Sequence, residues 1–192
     1  MTKAFDRLSP KEKLLKFDEE GLASFTPLLV GFQLARQIKS QEVYDCFCGV
    51  GGLSLAFAAA GKRVHGIELN AHRAKLAQSN AKIFGVEEKI DIVCADAMSF
   101  LASIKLPEQA VLLDLSWGGT AYGDFPSFKL NHFRPNGQQA LEIAFKTGAE
   151  VLMMFPKNFD LNELNAFKRM RHVVENKLNG ELLGYAVIFP RL

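Results

Sequence analysis

Apolar residues recur along this chain with two alternating spacings, and that alternation predicts the fold. Short, nearly continuous apolar runs are typical of strands that are buried on both faces. They predict strands near 42–47, 63–68, 89–94 and 110–115. Helical spacing of the apolar residues between these runs predicts helices near 52–60, 71–84 and 97–104. Strands that alternate with helices over short connections indicate right-handed crossovers and a parallel sheet.

Two helices are expected in the first 40 residues, before the first strand. Ser9-Pro10-Lys11-Glu12 is a capping-box pattern with proline at the first helical position. Gly21 should end this helix, and Thr26 should cap the next one, with Pro27 in its first turn. The side chains expected to face inward from the first helix are Leu14, Leu15 and Phe17.

The end of the chain changes pattern and predicts an antiparallel end to the sheet. The expected elements are a loop over 117–136, a helix near 137–148, a strand near 150–155 and a helix from Leu161 to Met170. Asn179-Gly180 then separates two strand-like runs, 172–178 and 181–189, and is a strong signal for a type I′ hairpin. We therefore expect an α/β, Rossmann-like fold with a mostly parallel seven-stranded sheet and a C-terminal antiparallel hairpin. Residues 1–40 should form a short helical extension, and residues 41–192 the main domain.

Composition fits a soluble globular protein and changes this picture little. Of the 192 residues, 48% are hydrophobic and 23% are charged, which is enough for one well-packed core. The net charge of +2 is too small to indicate nucleic-acid binding by itself. No apolar run reaches the length that spans a membrane, and the N-terminus has no apolar signal core, so we expect a cytoplasmic protein with no membrane contact.

The three cysteines predict neither disulfides nor a metal site. Cys46, Cys48 and Cys94 are odd in number, and two of them are one residue apart. A Cys-x-Cys pair without a second pair is a poor zinc signal, so no metal is expected. We interpret all three as buried thiols in a reducing compartment.

Residues 43–52 contain the most informative motif of the chain. Val43, Tyr44 and Phe47 end a buried strand, and a glycine-rich turn with Gly49 and Gly51 leads into the next helix. Glycines permit a tight turn that leaves backbone N–H groups available to a ligand. A strand, a glycine turn and a helix in this order predict a nucleotide-type binding site.

Three carboxylates decide which nucleotide ligand is expected. Asp45 ends the first strand, Glu68 ends the second and Asp96 follows the third. Glu68 can accept both ribose hydroxyls, Asp96 lies where an adenine amino group would be, and Asp45 can meet a methionine ammonium group. Ser54 stands where the NAD fingerprint needs its third glycine. The pattern predicts S-adenosyl-L-methionine, and the alternative is that the three acids only cap strand ends.

Residues 111–119 predict the reacting part of the site. Asp114 emerges at the top of a buried strand, and Trp117, the only tryptophan, is followed by two glycines. We expect Trp117 to stack on a purine, which contributes roughly 1–3 kcal/mol per base, while Asp114 orients an exocyclic amine for methyl transfer. The structural alternatives are an aromatic residue that pins the loop and an aspartate that caps it.

These residues resemble the trimethylguanosine synthase family, whose members methylate the N2 amine of guanine in 7-methylguanosine RNA caps. The resemblance extends from about residue 17 to residue 189, and residues 45–52 match the family's cofactor loop most specifically. Further similar segments are 17–27, 77–81 with Asn80, Trp117-Gly118-Gly119 with Tyr122, 155–158 and 176–179. The resemblance implies a class I methyltransferase fold, with residues 41–192 as its catalytic domain.

The resemblance also implies roles for particular residues. The implied cofactor-binding residues are Thr26, Asp45, Gly49, Gly51, Glu68 and Asp96. The implied catalytic residues are Asp114 and Trp117, and the implied substrate-binding residues are Ser116, Trp117, Tyr122, Lys157 and Asn158. Cation–π attraction to a methylated guanine would strengthen the stacking on Trp117. The implied partner is an RNA or guanine nucleotide, and a monomer is expected.

The chain departs from the family at one position of the substrate loop. The family has two prolines before the tryptophan, whereas this chain has Leu115-Ser116, which lack the fixed φ of proline. Two other functions therefore stay open: a catalytically weak module that binds S-adenosylmethionine and RNA, and a methyltransferase for another RNA or small-molecule amine.

Two further groups of residues have two interpretations each. The basic residues Lys168, Arg169, Arg171 and His172 could form a phosphate-binding patch or a solvated helix face. The phenylalanines Phe125, Phe128 and Phe133 could line a base pocket or pin the loop after Trp117.

Overall fold

The computed structural model describes residues 5–118 and 123–191, and its seven strands have the order β3-β2-β1-β4-β5-β7-β6. The strands are β1 (Glu42–Asp45), β2 (Arg63–Glu68), β3 (Ile90–Cys94), β4 (Ala110–Leu113), β5 (Glu150–Pro156), β6 (His172–Leu178) and β7 (Glu181–Phe189). The α-helices are α1 (Glu19–Ala23), α2 (Leu28–Gln37), α3 (Gly52–Ala59), α4 (Ala71–Phe84), α5 (Ala97–Ala102) and α6 (Gly137–Lys146). This is the expected Rossmann-like α/β fold, with a mostly parallel sheet and an antiparallel end.

Residues 1–97 form one compact unit around three parallel strands. Val64 of β2 lies opposite Val43 of β1 and Ile90 of β3, and all three side chains are buried. The Asn70 side chain accepts the N–H groups of His72 and Arg73 and so caps α4, as the sequence predicts. The parallel pairing brings the carboxyl ends of β1, β2 and β3 to one edge of this unit.

The N-terminal segment confirms the capping box but corrects the helix boundaries around it. Ser9 N–H donates to Glu12 Oε2 at 2.7 Å, and Glu12 N–H donates to Ser9 Oγ at 3.3 Å. The buried Glu12 also accepts the N–H of Leu28 through Oε1 at 2.7 Å, so one carboxylate holds two chain segments. Only a 3₁₀ turn, Glu12–Leu14, follows the capping box, and Leu14 is 67% exposed rather than buried.

Two expectations about the next helices are wrong for identifiable reasons. Gly21 lies inside α1 instead of ending a helix, and the position requires glycine because an added Cβ would come within 2.5 Å of Val50 and 2.4 Å of Asp18 Oδ1. Pro27, not Thr26, is the N-cap of α2, and its backbone φ of −56° suits that position without a side-chain hydrogen bond.

Residues 98–192 form a second compact unit around four strands. β4 and β5 are parallel, and β7 pairs antiparallel with both β5 and β6. Asn179 and Gly180 have φ values of 51° and 83°, so the predicted type I′ hairpin is confirmed. All seven residues of β5 are buried, which places this strand in the core of the unit.

Several predicted boundaries in the chain are shifted. β1 ends at Asp45 and β4 at Leu113, each two residues earlier than expected. The helix expected from Leu161 to Met170 is a 3₁₀ helix from Leu161 to Phe167, which Asp160 caps and which ends where Lys168 adopts a positive φ. Cys46 and Cys48 are buried as predicted, whereas Cys94 on β3 is exposed. No helix in the described ranges is long and apolar enough to cross a membrane.

Candidate active site

The glycine loop after β1 uses several of its own N–H groups, which corrects the expectation of bare donors. The N–H groups of Cys48 and Gly51 donate to the carbonyl oxygens of Ile67 and Cys48 at 3.1 and 2.8 Å. The Gly49 N–H donates to Glu68 Oε2 at 2.9 Å. Gly49 and Gly51 have φ values of 54° and 101°, which explains why this turn uses glycine. Since these three donors are occupied, the loop suits a ligand that offers donors of its own better than a pyrophosphate.

Asp45 is the buried carboxylate beneath this loop. Its side chain accepts a hydrogen bond from the Ser54 hydroxyl through Oδ2 at 2.6 Å, whereas the buried Oδ1 has no hydrogen-bond partner among the described residues. Burial raises the pKa of Asp45 to about 6, against the lowering effect of hydrogen bonds from Ser54. A buried acceptor with a vacant oxygen fits a donor-bearing ligand such as the ammonium group of S-adenosylmethionine.

Glu68 joins the ends of the three parallel strands. Its two carboxylate oxygens accept the N–H groups of Gly49 and Asn70, at 2.9 and 2.8 Å, and each oxygen keeps a further lone pair. Its backbone carbonyl accepts the N–H of Ala95 at 3.1 Å, which brings the exposed Asp96 to the same edge. The structure therefore groups three of the predicted cofactor residues within residues 1–97: Asp45, Glu68 and Asp96.

The N-terminal segment lies directly against the glycine loop. The half-buried Thr26 is in close contact with Gly52, where a Cβ would come within 2.8 Å of the Thr26 carbonyl oxygen. Arg73 of α4 pairs with Asp18 at 2.8 Å and also with Glu20, which fixes α1. The loop is therefore supported by residues that precede the first strand.

Asn80 and Ser54 are site residues whose roles the sequence did not reveal. Asn80 is fully buried and donates to the carbonyl oxygens of Lys16 and Val50, both at 2.9 Å, while it accepts the N–H of Lys16 at 2.7 Å. Ser54 occupies the position where the NAD fingerprint has its third glycine, and its hydroxyl donates a hydrogen bond to Asp45. The contacts of Asn80 join residues that are 30 and 64 positions apart in the chain, so only the resemblance of 77–81 to a family pattern pointed to it.

Leu69 is a further exposed residue at this edge, and no sequence motif indicated it. It follows Glu68 directly and is 73% exposed, although it is a large apolar side chain. Its carbonyl oxygen is 3.5 Å from the sulfur of Cys94 at the end of β3. The sequence signal for Leu69 is an apolar residue between the acid that ends a strand, Glu68, and the helix cap, Asn70, where a polar residue is more common.

Within residues 98–192, the predicted reacting residues lie at the carboxyl end of β4. Asp114 and Trp117 are half-buried, and Ser116 is exposed. The Ser116 carbonyl accepts the N–H of Arg134 at 3.1 Å in an isolated antiparallel bridge, and its hydroxyl accepts the N–H of Gly118 at 3.3 Å. The path of the backbone around Trp117 is thus held by hydrogen bonds.

Lys157 and Asn158 follow β5, the parallel neighbour of β4. Lys157 is exposed at the same edge as Asp114, whereas Asn158 has a structural contact: its Nδ2 donates to the Phe125 carbonyl at 2.8 Å. The Asn158 carbonyl also accepts the N–H of Phe128 at 2.8 Å. Tyr122, the remaining predicted substrate residue, lies outside the described residues.

The buried phenylalanines settle one of the two open interpretations. Phe128 and Phe133 have no exposed surface, and their rings are 5.0 Å apart in an edge-to-face arrangement. Phe133 also contacts Phe155 of β5 with a centroid distance of 5.7 Å. These two rings pin the loop after Trp117, whereas Phe125 remains 38% exposed.

Among the described residues, no group of three or more His, Cys, Asp or Glu side chains could hold a metal ion. Two of the predicted cofactor residues, Asp45 and Glu68, accept hydrogen bonds from a hydroxyl and from backbone N–H groups, respectively. Their vacant lone pairs fit the ammonium and ribose hydroxyl donors of S-adenosylmethionine.

Several solved structures with a similar fold are methyltransferases. A methyltransferase from Geobacter sulfurreducens matches with a TM-score of 0.60 at 16% identity, over 100% of this chain and 89% of that one. A SAM-dependent O-methyltransferase from Thermotoga maritima also gives a TM-score of 0.60, at 14% identity, over 88% of this chain and 66% of that one. The chain therefore has the fold of the class I, S-adenosylmethionine-dependent methyltransferases.

The sequence comparison narrows this class to one family. The model of the RNA cap guanine-N2 methyltransferase family matches residues 40–191, and the chain belongs to this family. The trimethylguanosine synthase of Saccharomyces cerevisiae is 28% identical over 156 residues, which are 76% of this chain and 50% of the yeast protein. The chain thus spans half the length of that relative. The family expected from the glycine loop is confirmed.

Proposed function

We propose that this protein transfers a methyl group from S-adenosyl-L-methionine to the exocyclic N2 amine of guanine in an RNA with a 7-methylguanosine cap. The observation that carries this proposal is the match of residues 40–191 to the cap guanine-N2 family. The half-exposed indole of Trp117 after β4 supports it, because an aromatic ring at this edge can stack on a purine. S-Adenosylmethionine supplies an electrophilic methyl group on a sulfonium.

Binding of the cofactor is assigned to residues 1–97. Asp45 would accept from the ammonium group, since its Oδ1 is buried and vacant. Glu68 would accept from the ribose hydroxyls through its remaining lone pairs, and Asp96 from the adenine amino group. Leu69 would cover one face of the adenine, which gives its large apolar exposed surface a physical reason.

Orientation of the substrate amine is assigned to the turn after β4. The amine lone pair is delocalised into the guanine ring, so correct aim matters more than a strong base. Trp117 would fix the plane of the base, and Asp114 would accept a hydrogen bond from the amine. Lys157, exposed after the neighbouring strand, would meet the phosphates. Asn158 would act indirectly on the substrate, because its hydrogen bond to the Phe125 carbonyl positions the loop after Trp117.

The replacement of the family's two prolines is compatible with this function. Leu115 is 2% exposed and anchors the turn in the core, and the Ser116–Arg134 bridge restrains the backbone that prolines would otherwise stiffen. These restraints favour an active enzyme over a module that only binds. The proposal therefore keeps turnover as an expected property of the chain.

A methyl-transfer assay with labelled cofactor tests the proposal. We expect product with a capped dinucleotide and none with GTP or with uncapped RNA of the same sequence. Tight binding of S-adenosylhomocysteine without product on any substrate would identify a binding module instead. Product on uncapped RNA or on small amines alone would keep the methyltransferase class and overturn the cap specificity.

A further inference from the structure

Six basic side chains gather at one edge of the unit formed by residues 98–192, at the end remote from Asp114. They are Lys105, Lys146, Lys168, Arg169, Arg171 and Arg191, and we call them the basic edge. The pairing of strands brings them together: Ala110 lies opposite Glu150, Val151 lies opposite Phe189, and His172 at the start of β6 lies opposite Ile188. The starts of β4 and β5 therefore share this edge with the end of β7, while Asp114 and Lys157 follow the opposite ends of β4 and β5.

Contacts with the rest of the unit hold four of the six side chains of the basic edge in place, those of Lys105, Arg169, Arg171 and Arg191. Lys105 Nζ donates to the Lys146 carbonyl at 2.7 Å, and Arg191 Nη1 donates to the Pro107 carbonyl at 3.1 Å. The Arg169 guanidinium lies 4.3 Å from the centre of the Phe145 ring. Within the described ranges, none of the six cations forms an ion pair with a carboxylate. Four of the six charges are therefore held by contacts with the protein, and all six lack a direct carboxylate partner among the described residues.

An exposed apolar side chain stands within this charge. Met170, between Arg169 and Arg171, is 82% exposed, which is the highest value for a large apolar side chain in the described part of the protein. The basic residues do not form a helix face, because the 3₁₀ helix ends at Phe167, although Lys168 and His172 are exposed to solvent. Cations with an apolar contact between them suit a chain of phosphates that carries bases.

We propose that the basic edge binds the phosphate backbone of the RNA body, away from the methylated guanine; this deepens, and rests on, the proposed function. β5 has seven residues, so the basic edge is about 23 Å from the edge of the unit that holds Lys157. A capped dinucleotide at Trp117 is too short to reach it. Longer RNA gains affinity there through phosphate contacts that release counterions.

The test compares two fourfold variants. The first combines Lys105→Gln, Lys146→Gln, Lys168→Gln and Arg191→Gln and leaves Arg169 and Arg171, which contact Phe145 and Leu164, in place. The matched control combines Arg36→Gln, Lys75→Gln, Lys82→Gln and Lys89→Gln, four exposed cations of residues 1–97. Thermal melts check that both variants are folded.

We expect the first variant to bind a capped RNA of about 30 nucleotides roughly tenfold or more weakly, with a log–log salt slope smaller by about 3. Its kcat and KM for the capped dinucleotide should equal those of the wild type. Unchanged affinity for the long RNA, or an equal loss in the control, would overturn the proposal. If the wild type methylates no RNA yet the first variant alone loses RNA binding, the basic edge stands and the proposed function fails.

Discussion

At the scale of single residues, the charge state of Asp45 links ligand binding to pH. Burial raises its pKa to about 6 from an ordinary value of 3.8. The protonated carboxyl therefore stabilises the fold at low pH, and this contribution of about 3 kcal/mol is lost as the pH rises through about 6. A ligand with an ammonium group reverses the preference, because it favours the ionised carboxylate.

We therefore predict that the affinity for S-adenosylhomocysteine rises with pH up to about 6 and then levels off. Below that value the affinity falls about tenfold for each pH unit, because Asp45 must lose a proton before the ligand binds. Calorimetry between about pH 5 and pH 7 measures the slope. The Asp45→Asn protein is the control, and a slope of the same size in that protein would assign the titration to another group.

Trp117 is the residue on which substrate recognition depends in the proposed function. We predict that Trp117→Ala raises the KM for a capped dinucleotide by roughly 5- to 150-fold, which corresponds to the loss of one stacked base. The dissociation constant of S-adenosylhomocysteine should stay within about twofold. Trp117→Phe keeps an aromatic face, so its KM should lie between those of the wild type and Trp117→Ala. Equal loss of substrate and cofactor affinity would mean that the indole supports the fold instead of stacking.

At the scale of elements, Asn80 connects α4 to two segments that are distant in sequence. The side chain of Asn80 is fully buried and makes three hydrogen bonds, to Lys16 and Val50, so removing it leaves buried or part-buried backbone groups unpaired. We predict that Asn80→Ala lowers the free energy of unfolding by about 2–4 kcal/mol and weakens cofactor binding.

Urea unfolding and calorimetry with S-adenosylhomocysteine measure these two effects. The matched control is Gln78→Ala on the same helix, whose exposed side chain makes one hydrogen bond to the Ile92 carbonyl at 3.1 Å. It should cost less than about 1 kcal/mol. A similar loss of unfolding free energy in both proteins would show that the hydrogen bonds of Asn80 have no special role.

The elements that sequence predicted well are those specified by local signals. The Asn179-Gly180 hairpin and the Asn70 cap follow from residues within one turn of each other. The carboxylates at strand ends were also predictable, because parallel strands carry their ligands at one edge. Gly21 and the segment 161–170 were misjudged, since a contact with Val50 and a positive φ at Lys168 decide them. Neither a long-range contact nor a positive φ at a lysine leaves a periodic signal in the sequence.

At the scale of the whole molecule, the expected division at residue 40 stays a prediction. The contacts within residues 1–97 indicate that the segment after residue 40 depends on residues 1–40 for its stability. Gly31 of α2 lies against Ala56 of α3, where an added Cβ would come within 2.4 Å of the alanine Cβ. Leu34 of α2 has no exposed surface, and Thr26 lies against Gly52 of the glycine loop. The N-terminal helices therefore pack against α3 and the glycine loop within residues 1–97.

We predict that the fragment 41–192 loses cooperative unfolding and binding of S-adenosylhomocysteine. The reason is that deletion of residues 1–40 exposes α3 and removes the contact of Thr26 with the glycine loop. A point change tests the same contact in the full chain: Gly31→Leu should lower the melting temperature, since the two helices cannot separate without opening the core. Gly123→Ala, where an added Cβ meets nothing within 4 Å, is the control and should leave it unchanged. A fragment that melts cooperatively and binds the ligand as tightly as the full chain would instead establish residues 41–192 as an independent domain.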